Sequence, residues 1–190
     1  MKTKNVMIVG VGGQGSLLAS RLVSRLLMDE GFDVKVSEVH GMSQRGGSVV
    51  SYVRYGDKVY SPIIDRGGAD MVVSFELLEA ARWLNYLAPD GLMVTNTQRI
   101  SPMPVITGAA AYPEDLVGQM KLAGARVEAF DALAAALEAG SSRAVNIAMI
   151  GRASTFFCPD DEKWQRAIDA VVPKQSLEIN KRAFILGKKG

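Results

Sequence analysis

Two clusters of residues have the types and spacing to do chemistry. The first is Gly10-Val11-Gly12-Gly13-Gln14-Gly15. Its glycines fall in the pattern G-x-G-x-x-G, directly after an apolar run and directly before a helical pattern. Glycines permit positive φ and close backbone approach to a ligand. The helix start at Gly15-Ser16 adds unpaired N–H groups and a positive dipole end, which suit an anion. The same glycines also serve tight strand–helix packing, and both uses are open on the sequence. Gln14 places an amide in a loop where a nicotinamide-binding turn needs none. The second cluster is His40-Gly41-Met42-Ser43-Gln44-Arg45-Gly46-Gly47-Ser48. It gathers an imidazole, a hydroxyl, an amide and a guanidinium among three glycines. Arg45 can clamp a phosphate or carboxylate, and the N–H groups at Gly46-Gly47 can form an anion nest. A crossover loop with Arg45 in an ion pair is the alternative.

The elements that must position these loops follow from periodicity. Asn5 to Val9 reads as a buried parallel strand. Leu17, Leu18, Leu22, Leu26 and Leu27 recur at helical spacing up to Glu30, and Gly31 stops that helix. Val34 to Val39 is a second strand, so the second loop faces the first across one sheet edge. Ser48 to Tyr55, the turn Gly56-Asp57-Lys58 and Val59 to Ile64 predict a hairpin. Asp70 to Ser74 and Leu92 to Asn96 are further strands. Between them lie a helix over 75–87 and a turn at Pro89-Asp90-Gly91. Residues 97–112 read as loop. Pro113 suits the first position of a helix ending near Gly124. Ala125 to Ala129 is strand-like, and the segments 131–139, 144–154, 160–171 and 176–186 are helical. The expected fold is three-layer α/β/α, with a mostly parallel Rossmann-like sheet, an inserted antiparallel hairpin and a helical C-terminus. No linker divides it, so residues 1–190 are expected to form a single domain.

Composition narrows the chemistry. The 190 residues include one cysteine and one histidine. One thiol cannot hold an iron–sulfur cluster, which takes about four. Cys158 and His40 cannot make a Cys/His zinc site. A single cysteine allows no internal disulfide, so a reducing compartment is the default. The net charge of +2 gives no reason to invoke nucleic acid or a membrane surface. The run Val6 to Val11 is too short for a signal-peptide core, and no window approaches the ~20 apolar residues of a membrane span. A cytoplasmic protein is expected.

The remaining candidates have plainer explanations. Glu38 ends the second strand, where a dinucleotide fold places its ribose-binding acid; a solvent-facing glutamate fits equally. His40 is a candidate general acid–base, with a loop-fixing hydrogen bond favoured. Cys158 reads as a buried thiol and Asn146 as a helix cap. Trp83 and Trp164 read as core or subunit contacts. Lys181, Arg182, Lys188 and Lys189 read as a solvated helix end.

Gly10–Gly15, followed by Glu38-Val39-His40-Gly41-Met42-Ser43-Gln44-Arg45-Gly46-Gly47, resembles the gamma-type domain of 2-oxoacid:ferredoxin oxidoreductases. The loop order, the chain length and the C-terminal helices with Asn146 and Asn180 are also similar. Within that family the resemblance runs to the small subunit of the indolepyruvate branch. It implies a role in oxidative decarboxylation of a 2-oxo acid to an acyl-coenzyme A with reduction of ferredoxin. Thiamine diphosphate, magnesium and iron–sulfur clusters would then belong to a larger partner subunit, which also meets ferredoxin. This chain would contribute an interface and a surface for coenzyme A at Gly10, Gly12, Gly13, Gln14, Gly15, Ser43, Gln44, Arg45, Gly46 and Gly47. The alternatives are a free-standing dinucleotide-binding oxidoreductase and a nucleotide-binding regulatory module.

Overall fold

The computed structural model describes residues 2–40 and 46–190. Six strands make one sheet: β1 (Lys4–Val11), β2 (Asp33–His40), β3 (Ser48–Gly56), β4 (Ala69–Ser74), β5 (Leu87–Asn96) and β6 (Arg126–Phe130). Their order is β2-β3-β1-β4-β5-β6. β4 pairs parallel with β1 and β5, and β6 pairs parallel with β5. β3 lies antiparallel to both β1 and β2. Five strands therefore run one way and β3 alone runs the other.

The antiparallel hairpin is not the expected one. β3 pairs with β2 across the second glycine cluster, and Val59 to Ile64 forms no strand. That segment is instead clamped as a loop. Arg54 donates to the carbonyls of Ser61 and Ile63, and Asp33 accepts from the Val59 N–H. The apolar positions Val59 and Ile64 are buried, so their strand-like pattern reports burial and not pairing.

One face of the sheet carries α1 (Ser16–Asp29), α5 (Ala132–Ala139), α6 (Val145–Phe157), α7 (Asp161–Val171) and α8 (Leu177–Lys189). Val6, Ile8, Val53, Met71, Val73 and Val94 point into this larger core. Alternate residues Met7, Val9, Tyr52, Val72 and Met93 point to the other face, as the two-residue period of a strand requires. That face is covered by α2 (Leu77–Arg82), α4 (Leu116–Leu122) and a 3-10 turn at Leu84–Tyr86. A single-turn helix, α3 (Met103–Ile106), lies within the expected loop.

Three boundaries differ from expectation. The helix expected over 75–87 starts at Leu77, where Glu76 caps it by accepting from the Glu79 N–H, and ends at Arg82, with a 3-10 turn at Leu84–Tyr86 after it. The turn at Pro89-Asp90-Gly91 becomes an irregularity inside β5, where Ala69 pairs with Leu87 but Met71 pairs with Leu92. The residues that signal a turn are thus accommodated as a bulge. Pro113 does not begin α4; Asp115 caps it, accepting from the Gly118 N–H at 3.1 Å.

Candidate functional site

The first glycine cluster is the turn from β1 into α1, at the carboxyl edge of the parallel strands. Gly15 is the helix N-cap, with φ of 83°. A side chain there would be strained, and its Cβ would meet Asn146 Nδ2 at 2.4 Å. Asn146 Nδ2 donates to the Gly15 carbonyl at 3.1 Å, and Asn146 Oδ1 accepts from the Ile147 N–H. Asn146 is the second residue of α6 and is buried. It braces the glycine turn and is not the N-cap of its own helix.

Gln14 has a bracing role as well. Its Oε1 accepts from the Val11 N–H at 2.9 Å, and its Nε2 donates to the Phe75 carbonyl at 3.0 Å. Both ends of the amide are thereby used within the protein. The extra amide in this loop holds the turn to the end of β4.

The structure brings the two glycine clusters together. The Gly12 N–H donates to the Gly47 carbonyl at 2.8 Å, and the Gly46 N–H points to the Gly12 carbonyl at 3.5 Å. The Gly46 amide is therefore turned toward Gly12, so an anion nest there would have to compete with this contact. Ser43, Gln44 and Arg45 lie outside the described residues. Glu38 is engaged from two sides: His40 Nε2 lies 2.7 Å from Glu38 Oε1, and Ser51 Oγ donates to Glu38 Oε2 at 2.9 Å. This contact joins two residues of β2, so it does not bear on the loop-fixing bond expected of His40.

Strand order bears on the dinucleotide alternative. In such folds the second strand lies beside the first, which brings its acid to the ribose. Here β3 intervenes. Adjacent strands lie ~4.8 Å apart, so β2 stands ~10 Å from β1 where a neighbour would stand ~5 Å. Glu38 is displaced as well as paired.

Two clefts flank the glycine turn. One, of about 460 Å³, is lined by Gly13, Gln14, Gly15, Gln98, Arg143 and Asn146 among others. The N-terminus of α1 lies beside it without a side-chain cap, whereas α6 continues from a 3-10 turn at Ser142–Ala144 that Ser141 caps, accepting from the Arg143 N–H. Arg143 makes no ion pair among the described residues. The other, of about 310 Å³, is more apolar, with Val11, Leu78, Ile100, Pro102, Met103 and Ile106 beside Glu76, Glu79 and Arg82. Both acids are buried, each about 1% exposed. Glu79 Oε1 accepts from Arg82 at 2.9 Å, and its Oε2 accepts from Ser48 Oγ and from Trp83 Nε1. Glu76 accepts from the Ile100 N–H at 3.0 Å and from the Tyr112 hydroxyl at 2.5 Å. Burial, together with that bond to Glu76, pushes the Tyr112 phenol well above its ordinary range.

Sequence reasoning missed Arg143, Glu76, Glu79 and Tyr112. Glu76 had a signal: an acid two residues past a buried strand, at the edge where ligands bind. Arg143 had none beyond its place before a helix. Elsewhere the plainer readings describe the structure. Cys158 is buried, and its carbonyl accepts from Trp164 Nε1 at 2.8 Å. Trp164 is fully buried, while Trp83 is half-buried against Tyr86. Asn180 Nδ2 donates to the Ser176 carbonyl. The basic C-terminus departs from its expectation of a solvated helix end: Lys181 pairs with Asp169 and Lys188 with Asp161, both on α7, and only Arg182 and Lys189 are exposed.

Fold and site define an α/β domain whose glycine turn is clasped by a second glycine loop, with an antiparallel strand seated between its first two parallel ones. A family model described as pyruvate ferredoxin/flavodoxin oxidoreductase matches residues 5–189. The chain belongs to that family. It is 42% identical to indolepyruvate oxidoreductase subunit IorB of Thermococcus kodakarensis, over 100% of this chain and 96% of that protein. The gamma subunit of a keto/oxoacid ferredoxin oxidoreductase from Geobacter sulfurreducens superposes with a TM-score of 0.71 at 19% identity, covering 98% of this chain and 96% of that one. The 2-oxoglutarate:ferredoxin oxidoreductase of Magnetococcus marinus, solved with 2-oxoglutarate, coenzyme A and succinyl-CoA bound, gives 0.75 at 18% identity. That match covers all of this chain and 31% of the other. At these identities the two structures speak for the fold.

Proposed function

We propose that this chain is the small subunit of an indolepyruvate-type 2-oxoacid:ferredoxin oxidoreductase, acting as one gamma-type domain over residues 1–190 in a cytoplasmic assembly. The reading is supported by the full-length similarity to the indolepyruvate oxidoreductase subunit. Iron–sulfur clusters and thiamine diphosphate with magnesium do not fit this chain. Its one cysteine is buried, and among the described residues no three His, Cys, Asp or Glu side chains gather to hold a metal. Those groups are assigned to a larger partner subunit, which supplies the decarboxylation chemistry and passes electrons to ferredoxin. No helix among the described residues is long and apolar enough to cross a membrane.

Coenzyme A does fit, and the observation that carries this is the 460 Å³ cleft. Its size lies in the usual range for small-molecule sites. The N-terminus of α1, which has no side-chain cap, and Arg143 both line it. Such groups favour a diphosphate. Gly13 and Gly15 line the cleft and offer the close backbone; Ser43, Gln44 and Arg45 are assigned to the coenzyme by the family resemblance alone. The role of this chain is then to bind and orient the coenzyme against the partner's reacting centre.

The test is co-expression with the larger subunit, followed by steady-state kinetics. Arg143→Ala and Arg45→Ala should each raise KM for coenzyme A about tenfold, as expected for loss of one charge-assisted contact. KM for the 2-oxo acid should not change. Coenzyme A kinetics untouched by both variants would remove the cleft from the reading. A chain that purifies alone and binds NAD tightly would overturn the subunit assignment.

A further inference from the structure

The segment 97–112 crosses the carboxyl edge as a strap, and it bounds both clefts. Among the described residues, Ile100 is the one that lines the two of them. Gln98 faces the cleft with Arg143; Ser101, Pro102, Met103 and Ile106 face the apolar one. What holds the strap in place is therefore what sets the shape of the site.

Three consecutive residues after β4 tie the glycine turn, the end of β5 and the strap together. The Phe75 carbonyl accepts from Gln14 Nε2 at 3.0 Å and from Asn96 Nδ2 at 3.2 Å. The Leu77 N–H donates to the Gln98 carbonyl at 3.0 Å. Between them, Glu76 accepts three hydrogen bonds. One oxygen takes the Ile100 N–H and the Tyr112 hydroxyl; the other takes the Glu79 N–H at 2.9 Å. Arg99 lies over the Tyr112 ring, 4.3 Å from its centroid. Glu76 thus grips the strap near its start, at Ile100, and at its end, at Tyr112.

We infer that Glu76 is a positioning residue: it fixes the strap, and through Ile100 the partition between the two clefts, and so tunes coenzyme A binding without touching the reacting atoms. This rests on the coenzyme A reading proposed above. The need is for a carboxyl group specifically. Two backbone N–H donors sit on opposite oxygens. A glutamine can accept from only one of them, because its NH₂ would face the other, and a buried donor left unsatisfied is costly. Tyr112 can adapt, since its hydroxyl can accept as well as donate.

The experiment uses the assembled complex with the larger subunit. Glu76→Gln should raise KM for coenzyme A about tenfold, the size expected when one buried donor loses its acceptor. It should leave kcat at saturating coenzyme A and KM for the 2-oxo acid within about twofold. Tyr112→Phe removes one donor and no acceptor, so it should give a smaller rise of about threefold. This milder variant keeps the test open if Glu76→Gln fails to assemble. Amide hydrogen exchange should quicken in Glu76→Gln at the amide the new NH₂ faces, Ile100 or Glu79. Arg143→Ala is run in parallel. An unchanged KM for coenzyme A in Glu76→Gln and Tyr112→Phe, while Arg143→Ala raises it, overturns the positioning role and spares the cleft. No change in any of the three removes the cleft itself. A fall in kcat with KM unchanged would also overturn the inference, because it would place Glu76 in the chemistry or the assembly.

Discussion

Five helices, among them α6 and α8, cover one face of the sheet; the other is covered by α2, α4 and a 3-10 turn. The first face is apolar and close-packed. Trp164 and Phe184 sit at its centre with ring centroids 5.2 Å apart, both fully buried. α6 and α8 cross almost backbone to backbone: a Cβ on Gly187 would lie 2.0 Å from the Ala148 carbonyl oxygen. The second face has short helices with polar anchors, and its buried acids Glu76 and Glu79 are held by hydrogen bonds. Dispersion and burial stabilise the first, so its side chains are exchangeable for others of like shape. Directional bonds specify the second, and each of its acids has only a few tolerated replacements. The scaffold and the site wall are thus built from different forces in one small protein.

That contrast can be broken or sharpened by substitution. Trp164→Ala should be the most damaging change, costing about 3–5 kcal/mol. Urea unfolding would read this as a lower midpoint at an unchanged slope. Gly187→Ala should cost about 1–3 kcal/mol, because the new methyl must push α8 off α6. A loss below about 0.5 kcal/mol would show that this helix pair slides freely. Asn146→Ala frees the Gly15 carbonyl where the two regions meet, and should cost about 1–2 kcal/mol. It should also weaken coenzyme A binding in the complex, which the two scaffold variants should not do once folded. Arg143→Ala should change stability by no more than about 0.5 kcal/mol while still raising KM for the coenzyme.

The smallest effect concerns alkaline pH. Burial first, and then the nearby Asp70, push the Tyr55 phenol up to about 12. Its unfolded value is about 10. The folded state therefore holds this proton more tightly than the unfolded chain does. The corresponding stability is fully present below pH ~10 and is lost as pH rises toward 12. Tyr55→Phe should flatten the decline in stability across that window. An equal slope in both proteins would show that Tyr55 titrates no differently once folded.

The first face was the legible one. Leu22, Leu26 and Leu27 recur at helical spacing, and all three are buried. The segments 144–154, 160–171 and 176–186 each correspond to a helix. The second face was read poorly. Val59 to Ile64 mimicked a strand because its apolar ends are buried under a clamp formed by Arg54 and Asp33. Asp115 displaced the expected helix start from Pro113, since a side-chain cap outweighs a favourable φ. Gln14 stands out in the sequence as an amide the turn does not need, but its partners, Val11 and Phe75, come together only in the fold.

By itself, the sequence determined the periodicities, the glycine turn between β1 and α1, and the absence of enough thiols for a cluster. These are local or compositional properties, set by side-chain spacing and by counts. Only the tertiary structure decided that β3 sits between β1 and β2, that Glu38 is engaged with His40 and Ser51, and that Arg143 lines one cleft with the glycine turn. It also decided that Asn146 reaches Gly15 across 131 residues and that Glu76 grips a strap beginning some twenty residues on. Such contacts join single polar atoms far apart in the chain. They leave no period to detect, because one hydrogen bond needs one donor and one acceptor and repeats nothing.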